Sequence, residues 1–159
     1  MRRATVPAAL LWLAACSTEG RVTPSTGAAT PLPPASSWGL TVHGCRDLAQ
    51  CEDIRTALAG RMIGAALTER IVPGGQQADL MLDVNVTNVR TVSGAERVFF
   101  GAMAGRNEVA SDDVVRDRTG AVLRSFKVES ASAAHPFSGE SGLPDAYRQF
   151  ASDTVSALR

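Results

Sequence analysis

The residues that could do chemistry here are three cysteines, two histidines and a scatter of carboxylates. Cys45 and Cys51 are close enough in sequence to close a short disulfide loop; the alternative is a pair of reduced structural thiols. On the chain-entropy model such a loop stabilises a fold by about 2 kcal/mol. The spacing is not Cys-x-x-Cys, so a redox site is not expected. His43 and His135 are remote from one another, and a zinc or acid–base site would need them to converge with carboxylates. Glu108, Asp112, Asp113 and Asp117 could attract calcium but lack the spacing and glycine of an EF-hand loop. A solvated strand face is the plainer expectation for them. Ser141 lies in Gly139-Glu140-Ser141-Gly142-Leu143, where Leu143 occupies the place of the second glycine of a nucleophile turn. There is no glycine-rich phosphate loop. These residues give no catalytic group, no metal site and no cofactor, so an enzyme is not expected.

Cys16 is different. Arg2 and Arg3 are followed by an apolar run over residues 6–13 and then by Ala14 and Ala15. A charged start, an apolar stretch of about 7–15 residues and small residues at the end describe a secretory signal. A membrane-spanning helix would need about 20 apolar residues, and this run stops at Ser17-Thr18-Glu19-Gly20. Leu13-Ala14-Ala15-Cys16 resembles the lipobox of bacterial lipoproteins. The resemblance implies cleavage before Cys16 and lipid on its thiol, with residues 1–15 as the signal peptide. Durable attachment takes more than one acyl chain, because a single myristoyl chain binds with an association constant of about 10⁴ M⁻¹. Ser17, rather than Asp, follows the cysteine, which implies the outer membrane, periplasmic face, with inner-membrane anchoring left open.

Residues 16–37 are rich in Ser, Thr, Gly and Pro without apolar periodicity, and read as an extended, solvated tether. Its reach would be about 25 Å as a coil and about 65 Å as polyproline. Residues 38–159 then form one globular domain. The whole chain has zero formal charge; losing Arg2 and Arg3 leaves 14 basic against 16 acidic residues. That excludes nucleic acid as the expected partner, since binding phosphate needs a basic surface.

The elements of this domain follow from periodicity. Residues 39–44 read as a short strand, and residues 52–71 as a helix with Ile54, Leu58, Met62, Ala65 and Ala66 inward, stopped at Pro73-Gly74-Gly75. Residues 78–86 alternate Leu80, Leu82, Val84 and Val86 with polar neighbours, the clearest strand in the chain. Strands are expected near 107–116 and 121–131, joined by the turn Asp117-Arg118-Thr119-Gly120. Pro144-Asp145 opens a last helix with Tyr147, Phe150, Ala151, Thr154, Val155 and Leu158 on one stripe. The predicted fold class is α+β, a small mixed or antiparallel sheet of about four strands with two helices on one face.

The apolar stretch Val98 to Gly105 connects two of these strands and contains Phe99, Phe100, Gly101, Met103 and Gly105. It is the candidate for contact with a partner or membrane; the alternative is that both phenylalanines fold back onto the sheet.

From Ala78-Asp79-Leu80-Met81-Leu82, through that glycine-bearing stretch, to the strand–turn–strand at Asp117–Leu123 and the closing helix, the chain resembles a bacterial lipoprotein family known as domain of unknown function 4410. The family implies no activity. Ser111 and Asp113 depart from the apolar alternation of the third strand, which leaves its burial or register open. The expected function is that of a membrane-anchored envelope lipoprotein, a non-enzymatic binding or assembly module with an unknown envelope protein as partner. The alternative is a subunit of a secretion- or pore-associated lipoprotein ring.

Overall fold

The computed structural model describes residues 19–27, 30–74, 76–92, 96, 105–132 and 142–159. Six strands make one mixed sheet: β1 (Glu19–Thr26), β2 (Ser37–His43), β3 (Arg70–Pro73), β4 (Leu80–Arg90), β5 (Glu108–Asp117) and β6 (Val122–Ala131). Their order across the sheet is β1-β6-β5-β4-β2-β3. β2 runs parallel to β3 and β4, and the remaining pairings are antiparallel. Helix α1 (Leu48–Gly64) supplies the crossover from β2 to β3, and α2 (Gly142–Leu158) closes the chain.

Period-2 patterning selects the buried face. Leu80, Leu82, Val84 and Val86 of β4 join Val109 and Val115 of β5 and Phe126 and Val128 of β6. Over them lie Ile54, Leu58 and Met62 of α1, and Tyr147, Phe150, Ala151, Val155 and Leu158 of α2. The opposite face is polar, with Lys127 Nζ 3.1 Å from Asp112 Oδ1 and Arg116 Nε 3.5 Å from Asp83 Oδ2. Such exposed cross-strand pairs contribute little, about 0.2–1 kcal/mol each.

The α+β class is as expected, but the sheet has six strands rather than about four. One extra strand lies inside the segment expected to be a solvated tether: Glu19–Thr26 pairs antiparallel with β6, from Glu19 opposite Ala131 onward. An edge strand has one neighbour and needs no apolar face, so Ser, Thr and Pro24 are tolerated there. The register shifts between Pro24 and Thr26. The other is β3, whose Arg70 and Ile71 were expected at the helix end. α1 instead stops at Gly64 with Ala66 in the left-handed region (φ 54). Ala66 N–H donates to Ile63 O at 2.9 Å and Leu67 N–H to Met62 O at 3.1 Å, a Schellman ending without its usual glycine. The helix also starts earlier than expected, at Leu48, because Asp47 caps it: Gln50 N–H donates to Asp47 Oδ1 at 2.8 Å.

Ser111 and Asp113 keep the register of β5 and are buried on the helix-covered face. Asp113 is 1% exposed, pairs with Val84 and Phe126, and makes no hydrogen bond. Burial pushes its carboxyl up to about 7, which the nearby Ser111 hydroxyl offsets only in part.

Candidate functional site

The strands have two ends with different contents. At one end lie the start of β1, the end of β6, the start of β5 and the ends of β4 and β2. Glu19, Ala131, Glu108 and Arg90 form a cross-strand row there. Two residues inward, on the same face, the row is Arg21, Glu129, Ala110 and Asn88. Between these rows is a shallow open depression lined by Gly20, Arg21, Asn88, Glu108, Glu129 and Ser130. Arg90 Nη1 stands 4.0 Å from Glu108 Oε1.

Three devices position this end. Cys45 and Cys51 form a disulfide with Cα atoms 5.6 Å apart, tying the segment after β2 to the first turn of α1. Gly44, at φ +80, makes the turn out of β2; a Cβ there would lie 2.3 Å from Val86 O. Asn107 is buried; its Oδ1 accepts from Val92 N–H at 2.7 Å and its O from Ser132 N–H at 2.9 Å. One residue thereby closes the base of the β4–β5 connection and holds the residue after β6. Beneath α2, Ser130 Oγ donates to Asp153 Oδ2 at 2.6 Å and Gln149 Nε2 to Asp153 Oδ1 at 2.9 Å. Asp153 also lies over Gly20, where a Cβ would meet its carboxylate. The hydroxyl–carboxylate pair straps α2 to β6 and β1.

Leu48, the first residue of α1, is 90% exposed at this same end. Arg46 lies just before it, its Nε 3.4 Å from Asp47 Oδ2, with most of its side chain in solvent.

The sequence-derived residues distribute as follows. The disulfide is present as expected. Gly105 is half-buried at φ +92, where a Cβ would lie 3.2 Å from Arg90 Nη2. Cys16, Phe99, Phe100, Gly101 and Met103 lie outside the described residues, as do His135 and Ser141. His43 is exposed on β2 opposite Asn85. The acidic stretch does not act together. Glu108 and Asp112 lie on the polar face, Asp113 in the core, and Asp117 in the turn, where its Oδ1 accepts from Thr119 N–H at 2.8 Å and Ala121 N–H at 3.0 Å. The expectation of one solvated face therefore fails at Asp113, because its neighbours in the sheet dictate which side it faces. Among the described residues no group of three or more His, Cys, Asp or Glu is placed to hold a metal. Leu48, Arg46 and Asn107 were not singled out from sequence. Asp47-x-x-Gln50 is a helix-start signal that would have placed the first two.

The opposite end is a hydrogen-bonded closure. Asp79 Oδ2 accepts from Ser36 N–H at 2.9 Å, Ser36 Oγ at 2.8 Å, Ser37 N–H at 2.9 Å and Ser37 Oγ at 3.0 Å, and Oδ1 pairs with Arg118. The Ser36 hydroxyl first, then Ser37 and Arg118, hold this carboxyl well below the usual range. Arg124, 4% exposed, donates to Ala157 O at 2.5 Å and Thr30 O at 2.6 Å. It thus caps the carboxy-terminal turn of α2 with positive charge.

The fold defines a small domain with one mixed sheet and two helices packed against it. The family model described as Domain of unknown function (DUF4410) matches residues 48–136, and the chain belongs to that family. The match begins at α1, earlier than the sequence resemblance from Ala78. No curated protein matches the sequence. Among solved structures, the PelC dodecamer from Paraburkholderia phytofirmans is similar at 16% identity and TM-score 0.59, over 88% of this chain and 98% of that one. A point variant of the same dodecamer matches at 16% identity and TM-score 0.57, with the same coverage. At this identity the likeness shows a shared fold.

Proposed function

We propose that this chain is an outer-membrane lipoprotein, held at the periplasmic face by lipid on Cys16, whose domain is a non-enzymatic binding or assembly module. The observation that carries the reading is the place of Cys16. It ends the run Leu13-Ala14-Ala15-Cys16 behind an apolar stretch, and the first strand begins three residues later. Intact-mass analysis of the mature chain from membranes tests it. The expected product starts at Cys16 and carries acyl chains, and Cys16→Ser moves the protein to the soluble fraction. An unmodified Cys16, or cleavage elsewhere, overturns the reading.

A second reading, a subunit of a secretion- or pore-associated ring, is favoured by the similar fold of a protein solved as a dodecamer. Native mass of the detergent-extracted protein decides it. A strict monomer removes the ring and leaves the binding-module reading standing.

A further inference from the structure

The described chain starts at Glu19, where β1 is already hydrogen-bonded into the sheet. From Cys16 to Glu19 there are three Cα–Cα steps, which span at most about 11 Å. A lipid on Cys16 would thus hold the start of β1 within a headgroup layer's thickness of the bilayer, not at the end of a long tether. On the far side of the sheet, four strand spacings or about 19 Å away, α1 begins at that same end. Leu48, 90% exposed, is the most exposed large apolar side chain among the described residues. Arg46, beside it, extends into solvent. An apolar side chain next to an arginine suits an interface, the one entering the acyl boundary and the other staying among phosphates. The described residues hold no helix long and apolar enough to cross a membrane.

We propose that the domain stands on the lipid surface with its strands near the membrane normal, and that among the described residues the anchored start of β1 and the Arg46–Leu48 turn face it. The disulfide holds that turn rigid, since Cys45 and Cys51 bracket Arg46 and Leu48. The proposal rests on the lipoprotein reading above, and its test separates the two.

The full chain is exported and purified from membranes. It is then reconstituted in vesicles of phosphatidylethanolamine and phosphatidylglycerol with brominated acyl chains. Leu48→Trp is compared with Val122→Trp, an exposed site at the opposite end, with buried Trp38 as common background. The lipid on Cys16 is read by mass on the same samples. The expected result is lipid present and emission from Leu48→Trp quenched roughly twofold, at a depth of about 5–10 Å, with Val122→Trp unchanged. Lipid present with equal quenching at the two sites overturns the orientation and leaves the lipoprotein reading intact. A blue-shifted but unquenched Leu48→Trp assigns that turn to a protein neighbour and also overturns it. Absence of lipid overturns both.

Discussion

The two ends of the sheet are closed by different chemistry. The end holding the β5–β6 turn is closed by side chains that reach across sequence: Asp79 to Ser36, Ser37 and Arg118, and Arg124 to Ala157 and Thr30. The end where the described chain begins is held, among the described residues, by one disulfide, a helix cap, Asn107 and the strap from Ser130 and Gln149 to Asp153, and it exposes Leu48. The difference teaches a division of labour. Among the described residues, hydrogen bonds and ion pairs fix one end, and the other adds a covalent tie beside its exposed Leu48.

Four substitution experiments test how the core and the two ends are held. The largest effect is expected between the ends, at Asp113. Its folded-state value of about 7 lies above the ordinary carboxylate range, so unfolding releases a proton at intermediate pH. The contribution of Asp113 is then greatest at low pH and falls by about 1 kcal/mol per unit as pH rises from 5 to 7, opposite in sign to that of Asp79, which is lost at acid pH. Asp113→Val removes the buried carboxyl and should gain about 3 kcal/mol at pH 8, shrinking toward pH 4. Urea titrations across that range check it. An unchanged pH slope in the variant would show that the carboxyl is solvated.

Next is Arg124→Met, which leaves the carbonyls of Thr30 and Ala157 without their donor. A loss of about 2–3 kcal/mol is expected, with faster amide exchange confined to residues 30–36 and the last turn of α2. Exchange that instead spreads to the disulfide end would contradict the contrast. The double replacement Cys45→Ala with Cys51→Ala should cost about 2 kcal/mol and loosen only the opposite end. Ala66→Gly, the smallest change, relieves a left-handed residue that is exposed and has no packing to lose. It should raise stability by about 1 kcal/mol, visible as a higher thermal midpoint.

Much of the core was legible in sequence. Leu80, Leu82, Val84 and Val86 announce β4 by alternation, the stripe from Tyr147 to Leu158 announces α2, and Asp117 and Gly120 announce their turn. These segments carry their own periodicity. β1 carries none, because its pairing is decided by β6 and its composition only has to permit an edge. β3 was hidden because Ala66, not glycine, ends α1, so nothing in the local sequence separated helix from strand. Ser111 and Asp113 show the converse. Their chemistry argues for solvent, yet the register set by Val109 and Val115 turns them inward. Of the candidate site, sequence supplied the two disulfide cysteines. Asp47-x-x-Gln50 could have placed Leu48 at the helix start, but its exposure depends on which turn of α1 the core leaves uncovered.

The pairing of β1 with β6 has a consequence for assembly. Chains are made amino terminus first, so this strand emerges early, yet among the described residues its hydrogen-bonding neighbour is the much later Val122–Ala131. It must wait, unpaired, while α1 and the strands β2 to β5 are synthesised. Its Ser, Thr and Pro content, which disguised it as a linker, keeps such a waiting segment soluble and poor at pairing with a stranger.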